Sequence, residues 1–320
     1  MLALGLSLPA GSESGGDPVP IRDGDRWGYL APGGEIAIRP QFDAARRFSD
    51  GRAAVRLGRR WGFIDRSGKL AVLPVYASVE DFSEGLALVS EPEGFAFVDP
   101  TGRQVLRMGL DRRPGSFHEG LAAVRVEKLW GYIDPRGVEV IPPRLKGAAA
   151  FSEGLAAVRL DRGYGFIDRR GEVVVPGPYD AVLPFSEGAA PAKRDGLWGY
   201  IGKDGAWIVS PRFAGAWSFS EGRARVAQLR PDGFTYYGFI DRSGEERIPL
   251  RFRYAGDFSG GRAEVQDGGK WGYVGPSGES VVAPRYSWAG PFRDGLAEVS
   301  TDGRRGVIDA EGRLLWTQAE

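Results

Sequence analysis

One motif recurs along the chain with a near-constant period, and it limits the fold more than any other feature. An aromatic-Gly pair stands at Trp27-Gly28, Trp61-Gly62, Trp130-Gly131, Tyr164-Gly165, Trp198-Gly199, Tyr237-Gly238 and Trp271-Gly272. Degenerate copies occur at Phe95-Ala96 and Arg305-Gly306. The gaps between successive second positions are 34, 34, 35, 34, 34, 39, 34 and 34 residues. A second marker, Phe-Ser-Glu-Gly or a close variant, keeps the same beat at Phe48, Phe82, Phe117, Phe151, Phe185, Phe219, Phe258 and Phe292. Two independent markers in phase define nine copies of a unit of roughly 34 residues. Units this small cannot hide their apolar faces alone, so they order by stacking on their neighbours.

Within a unit the pattern is that of short strands. In the second unit, residues 53–57 (AAVRL) read as a strand, 61–65 (WGFID) as another and 70–73 (LAVL) as a third, with turns at 58–60 and 66–68. A turn Gly recurs at Gly34, Gly68, Gly102, Gly137, Gly171, Gly205, Gly244, Gly278 and Gly312, where positive φ is wanted. Asp often precedes it (Asp65, Asp99, Asp134, Asp168, Asp241, Asp309), and its carboxylate can cap the turn amides. Pro40, Pro74, Pro143, Pro211 and Pro284 are expected to end pairing after the third strand, and the connection beyond reads as an irregular fourth strand. A pair of helices per 34 residues is excluded by the 49 glycines and 22 prolines of the 320-residue chain, which cost about 1 and 3 kcal/mol apiece inside helices. Alternation sends Trp and Gly to opposite faces, so the Trp is expected to fill the space between units while the Gly lets another backbone approach.

The segments LWGYIDPRGVEVIPP and FSEGLAAVRL resemble the WG-containing repeat family of bacterial proteins, and the likeness runs from about Val19 to Thr317. The resemblance implies a β-propeller-like array, a frequent exported or surface location, and no catalytic residues to carry over. Phe95-Ala96, Arg305-Gly306, Asp111 in place of an aromatic, and Gly260 within FSGG depart from the pattern and put the packing of the third and last units in question. The expected fold is therefore all-β, with nine three- or four-stranded units closed into a propeller-like ring. Absence of a polar capping unit favours closure, and an open β-solenoid is the alternative. Residues 18–320 form one domain behind an N-terminal tail, 1–17. The apolar stretch 1–10 (MLALGLSLPA) reads either as the remnant of a secretion signal or as an accidentally apolar tail, so the expected location is exported, periplasmic or cell-surface, with cytoplasmic as the alternative.

The composition carries little chemistry. Forty-two basic and 42 acidic residues balance, and no block of like charge offers a footprint for nucleic acid. No apolar run reaches the length of a membrane-spanning helix. There is no Cys, which excludes disulfides, thiolate metal sites and a Cys nucleophile. His118 is the single histidine and occupies the Ser slot of a marker, so it is read as a turn residue, and no metal or cofactor site is expected. The carboxylates Glu84, Glu119, Glu153, Glu187 and Glu221, with Asp50 and Asp294 as variants, share one repeat position. Catalysis needs two different environments, so identically placed residues are read as turn-closing, as are Ser83, Ser152, Ser186 and Ser220. The chain is not expected to be an enzyme.

Departures from the repeat are the informative places. Residues 228–236 (QLRPDGFTY) contain a five-residue insertion that lengthens one hairpin and carries Arg230, Phe234 and Tyr236. Trp207, Trp217 and Trp288 are aromatics outside the repeating Trp position. These six residues are the candidate binding residues. The expected function is a non-catalytic scaffold that binds another protein through loops on one face. A carbohydrate or cell-envelope ligand module is the alternative, and an enzyme with a site in the central funnel is a third reading.

Overall fold

The computed structural model describes residues 16–318, so the apolar segment 1–10 lies outside the described residues. Every regular element among them is a β-strand, and the strands form nine antiparallel sheets. The sheets are the nine blades of a propeller: 19–42, 44–76, 78–109, 112–145, 148–179, 181–213, 215–252, 254–286 and 288–317, numbered 1 to 9. Blade 2 shows the pattern, with strands a (Ala44–Ser49), b (Arg52–Leu57), c (Arg60–Ile64) and d (Leu70–Tyr76) hydrogen-bonded in chain order. The irregular connection expected from the sequence is strand a, often only two residues long, as at Ser78–Val79. Blade 1 has strands b, c and d among the described residues. Strand d alternates exposed and buried positions and forms the outer edge, while the short strand a stands towards the axis.

The ring closes. Val19, Ile21 and Leu30 of blade 1 pack with Leu296 and Val307 of blade 9. The side chain of Arg47 in blade 2 reaches Glu298 in blade 9 at 3.4 Å. This excludes the open solenoid.

Packing between blades corrects one expectation. The repeating Trp is only half-buried. The space between blades is filled instead by the aromatic two residues further along strand c, which meets the marker Phe of the next blade. Ring centroids lie 4.7 Å apart for Phe63–Phe82, 4.7 Å for Phe166–Phe185, 5.0 Å for Tyr200–Phe219 and 4.9 Å for Phe239–Phe258. The Trp packs at the margin of that space, because it pairs with the end of strand d near the rim of the sheet, as Trp61 does with Tyr76 beside Val79 and Phe82 of the next blade.

The Trp-Gly pair and the Pro turn out to belong to one device. Proline does not end strand d but sits inside it, within a bulge. Trp27 pairs with Phe42 and Tyr29 with Ile38, so two extra residues bulge around Pro40. An outer strand tolerates a residue without an N–H, and the bulge presses the strand d backbone onto the Gly. A Cβ added to Gly28 would lie 2.5 Å from the Ile38 carbonyl oxygen. Blade 3 has Ala96 in place of the Gly and no Pro in strand d, and its register runs unbroken past that point, Phe95 with Met108 and Phe97 with Leu106, shifting only between Phe97 and Val98. The degenerate third unit is therefore a regular blade without the bulge.

Neighbouring marker turns are laced together. Glu84 and Gly85 both have positive φ, 54° and 75°, the conformation of a tight primed turn. The Ser83 hydroxyl donates to the Phe117 carbonyl of the next blade at 2.7 Å, and the Gly120 amide donates to the Glu84 carboxylate at 2.8 Å. The same pair of bonds recurs at Ser152–Phe185 and Glu153–Gly188. The shared carboxylates therefore close turns, but those of the following blade rather than their own.

Candidate functional site

The marker ladder and the aromatic pairs use the middle of each blade, which leaves two surfaces free: the inner wall, and the face bearing the b–c hairpins. On the inner wall the residue that is Ala54 in blade 2 is Leu88, Ala123, Ala157 and Pro191 in blades 3 to 6, then Arg225, Glu264 and Glu298 in blades 7 to 9. Charge is thus gathered in one arc. Arg225 is held by Asp257 at 3.0 Å and lies 3.9 Å above the Trp217 ring. Glu264 is 9 % exposed, and its Oε2 is buried with no hydrogen-bond partner. Burial raises its carboxyl to about 7, reinforced by Asp257 and opposed by Arg225 and Arg293. Burial also pushes Glu298 above the usual carboxylate range, against the pull of Arg47. A cavity of about 520 Å³ opens between blades 7, 8 and 9, lined by Ser218, Arg225, Asp257, Glu264, Trp271 and Arg293 among others.

On the hairpin face the insertion in blade 7 adds rungs to the b–c hairpin, with Gln228 opposite Tyr236 and Leu229 opposite Thr235. Phe234 at the tip is 51 % exposed yet fixed, with the Arg253 guanidinium 3.9 Å from its ring centre. Arg230 lies 4.5 Å above the Tyr236 ring and donates to the Leu250 carbonyl at 2.5 Å, while the Tyr236 hydroxyl donates to Asp232 at 2.8 Å. Next to this hairpin runs a row of rings. Trp217 meets Tyr237 at 5.7 Å, and Tyr254 stacks between Tyr237 and Trp271 at 6.2 Å from each.

Of the candidate residues, the structure therefore groups Arg230, Phe234, Tyr236 and Trp217 around blade 7. Trp288, 48 % exposed, begins strand a of blade 9 on the same face. Trp207 stands apart: it is half-buried, edge-on to Tyr179 at 5.7 Å, with Arg194 at 5.2 Å, and it packs between blades 5 and 6. His118 is exposed at the end of strand a in blade 4, where the Ser-to-Phe bond of the ladder has no hydroxyl to make it. The turn aspartates are spent locally. Asp65 accepts the Ser67 hydroxyl and the Ser67 and Lys69 amides, and these bonds, the hydroxyl first, hold its carboxyl below the usual range. Among the described residues, no group of three or more His, Asp or Glu is arranged to hold a metal ion, and no helix is long and apolar enough to cross a membrane.

The repeat described as WG containing repeat matches eight successive segments: 27–60, 61–91, 95–130, 130–162, 164–198, 198–228, 237–271 and 271–304. The chain belongs to the WG containing repeat family. No curated protein matches the chain. Among solved structures, this WG-repeat protein is similar to one titled "Crystal structure of the eukaryotic initiation factor", with a TM-score of 0.68 and 13 % identity over 96 % of each chain. At that identity the likeness concerns the fold alone. Kluyveromyces lactis Hsv2 aligns with a TM-score of 0.44 and 10 % identity over 84 % of this chain and 94 % of its own.

The WG-repeat pattern itself contains the signal that sequence reading missed. Superposing the units by their markers isolates Arg225, Glu264 and Glu298 at a place that is otherwise small or apolar, and Arg293 in a Ser slot. Tyr254 replaces the Ala44, Ser78 or Gly215 of other blades. Each is a charged or aromatic departure inside a regular unit, and none disturbs the spacing, so counting gaps passes over them.

Proposed function

We propose that this WG-repeat propeller is a non-catalytic binding scaffold that engages another protein through the hairpin face of blades 7 to 9. The observation that carries this reading is the group of aromatic side chains there: exposed Phe234 under Arg253, exposed Tyr254 stacked between half-buried Tyr237 and Trp271, and exposed Trp288. Aromatic residues and Arg dominate protein-binding hot spots, and rings already held by neighbours lose little freedom on docking. The absence of catalysis is part of the proposal. It is supported by the repeated carboxylates, each engaged with backbone amides of the next turn, as Glu119 is with Gly154 and Glu187 with Gly222. The test is capture of partners on immobilised wild type, Phe234→Ala and Trp288→Ala proteins. Loss of the same captured protein from both variants supports the reading, and identical captures on all three sink it. Export remains a proposal supported only by the apolar composition of residues 1–10, and cell fractionation decides it.

A specific observation also favours a glycan as second reading. Trp288 borders a cavity of about 300 Å³ with Glu298, Ser300 and Arg305, a ring beside planar polar groups. Binding to purified envelope glycan that free sugar competes away, and that Trp288→Ala abolishes while Phe234→Ala does not, would establish it.

A further inference from the structure

We propose that the cavity between blades 7, 8 and 9 is a binding site for a small zwitterion of the amino-acid class, its ammonium held by Glu264 and Asp257 and its carboxylate by Arg293. The site adjoins the docking surface above through Trp271, and differs from it in that its polar groups lie on the inner wall rather than on the hairpin face.

The inventory of unused bonding capacity leads to this chemistry. Arg225 is spent: its Nε donates to Asp257 at 3.0 Å, its Nη1 donates to the Ala255 carbonyl, and its plane covers Trp217. Asp257 gives one oxygen to that bond and keeps the other, with nearly half its side chain exposed. Glu264 is accommodated only because residue 256 is Gly, since a Cβ there would lie 1.9 Å from its Oε1. The residual exposure of Glu264 opens on the cavity it lines. Arg293 replaces the Ser of the marker, pairs with no carboxylate among the described residues, and lies close enough to steady the charge of Glu264. Trp271 supplies apolar surface on the same wall.

Spare acceptors on one side and a spare guanidinium on the other disfavour the simpler ligands. A plain cation would meet Arg293 and Arg225, and a plain anion would meet Glu264 and Asp257. A molecule carrying both signs satisfies both ends, and a guanidinium recognises a carboxylate through two parallel bonds. About 520 Å³ is room for a molecule of that size. A desolvated carboxylate left without a donor costs free energy in the empty protein, which a cationic donor would recover.

Glu264 also gives the site a signature. The groups facing it are Arg225 from strand b of blade 7, Asp257 from the segment after strand a and Tyr273 from strand c of blade 8, and Arg293 from the marker turn of blade 9. Tyr273 is neutral, its hydroxyl pushed up by burial. Glu264 is therefore the group that titrates near pH 7. An ammonium favours its ionised form, so binding releases a proton and weakens as pH falls below about 7.

Two substitutions return the site to the repeat and so preserve folding: Glu264→Ala, the residue of blades 2, 4 and 5, and Arg293→Ser, the residue of most markers. The experiment is calorimetric titration with glycine, 4-aminobutanoate and 5-aminopentanoate, with butylammonium and butanoate as half-ligands and glucose as a neutral polyol. At least one amino acid should bind about tenfold more tightly than either half-ligand. Each substitution should remove that preference while the unfolding midpoint stays level or rises. Equal binding of the half-ligands, preference for glucose, no heat from any amino acid, or binding that survives Glu264→Ala each overturns the proposal.

Discussion

The inner wall has two arcs built on one frame. Blades 4 to 6 present Gly115, Ser116, Ala149, Ala150, Leu183 and Pro184 in the two places before the marker Phe, all small or apolar apart from one hydroxyl. At those places blades 7 to 9 present Trp217, Ser218, Gly256, Asp257, Gly290 and Pro291; they add Arg225, Glu264 and Glu298 from strand b, where blades 4 to 6 have Ala123, Ala157 and Pro191, and Arg293 from the marker turn of blade 9. Behind both arcs the aromatic pairs are alike, 4.8 Å for Tyr132–Phe151 and 4.7 Å for Tyr273–Phe292. The difference teaches which positions the fold needs. A blade must supply its ring and its marker turn to stack on the next; the side chains at these variable places differ between blades while that frame stays the same, so they are free to carry chemistry.

If the frame is shared, breaking it should cost the same on either side. Phe185→Ala in the small-residue arc and Phe258→Ala in the charged arc each remove a fully buried ring, and each should lose about 3–5 kcal/mol in urea unfolding. A large loss on one side with little on the other would show that the arcs are not equivalent and that stability is concentrated in one of them.

Glu264 should set the arcs apart. Its folded pKa, about 7, lies above the ordinary 4.5, so between those values the native state keeps a proton that the unfolded state has lost. Stability then falls as pH rises, and the penalty is complete above pH 7, at most about 3 kcal/mol. Glu264→Ala should accordingly be more stable than wild type at pH 8, and the gap should close towards pH 4. Parallel stability curves for the two proteins across that range would mean that the carboxyl is better solvated than its burial indicates.

The bulge offers a smaller effect that does not depend on the arc. Gly199→Ala would put a Cβ 2.4 Å from the Val209 carbonyl oxygen, and the cost of moving strand d should be about 2 kcal/mol. Ala96→Gly in the unbulged blade 3 should cost about 1 kcal/mol, from backbone freedom alone. Equal losses from the two exchanges would separate the Gly from the bulge.

How much of this was legible follows from what a period can encode. Two markers in phase are enough to specify nine units, their strands b and c and the long hairpin, because spacing and alternation are properties of the linear chain. The Trp was placed on the right face but too deep, because residue size suggested core; Tyr29 and Phe63 fill the middle of the space between blades, while Trp27 and Trp61 lie half-buried at its margin. Pro40 was misread as a terminator because the bulge that tolerates it exists only once strand d is paired with strand c. The charged arc escaped notice for a different reason. Arg225, Glu264 and Arg293 belong to three separate units and meet only when successive blades stack.

The finest distinction between blades lies in one oxygen atom. Strand c carries Tyr at Tyr29, Tyr132, Tyr200 and Tyr273, and Phe at Phe63, Phe97, Phe166 and Phe239, in the same buried place. Each of these tyrosines donates its hydroxyl to a carbonyl in, or directly after, strand a of the next blade; Tyr200 reaches Trp217 at 2.9 Å and Tyr273 reaches Gly290 at 2.8 Å. Burial pushes these hydroxyls well above the usual tyrosine range, so they remain donors at any ordinary pH. Tyr200→Phe should therefore cost about 1 kcal/mol, the net worth of one hydrogen bond, with the ring packing intact. Its effect should be local. The Trp217 carbonyl loses its donor, so hydrogen exchange of strand a in blade 7 should quicken while that in blade 6, which Phe166 abuts without such a bond, stays unchanged. Equal exchange in both strands after the substitution would show that the inner strands are held by stacking alone.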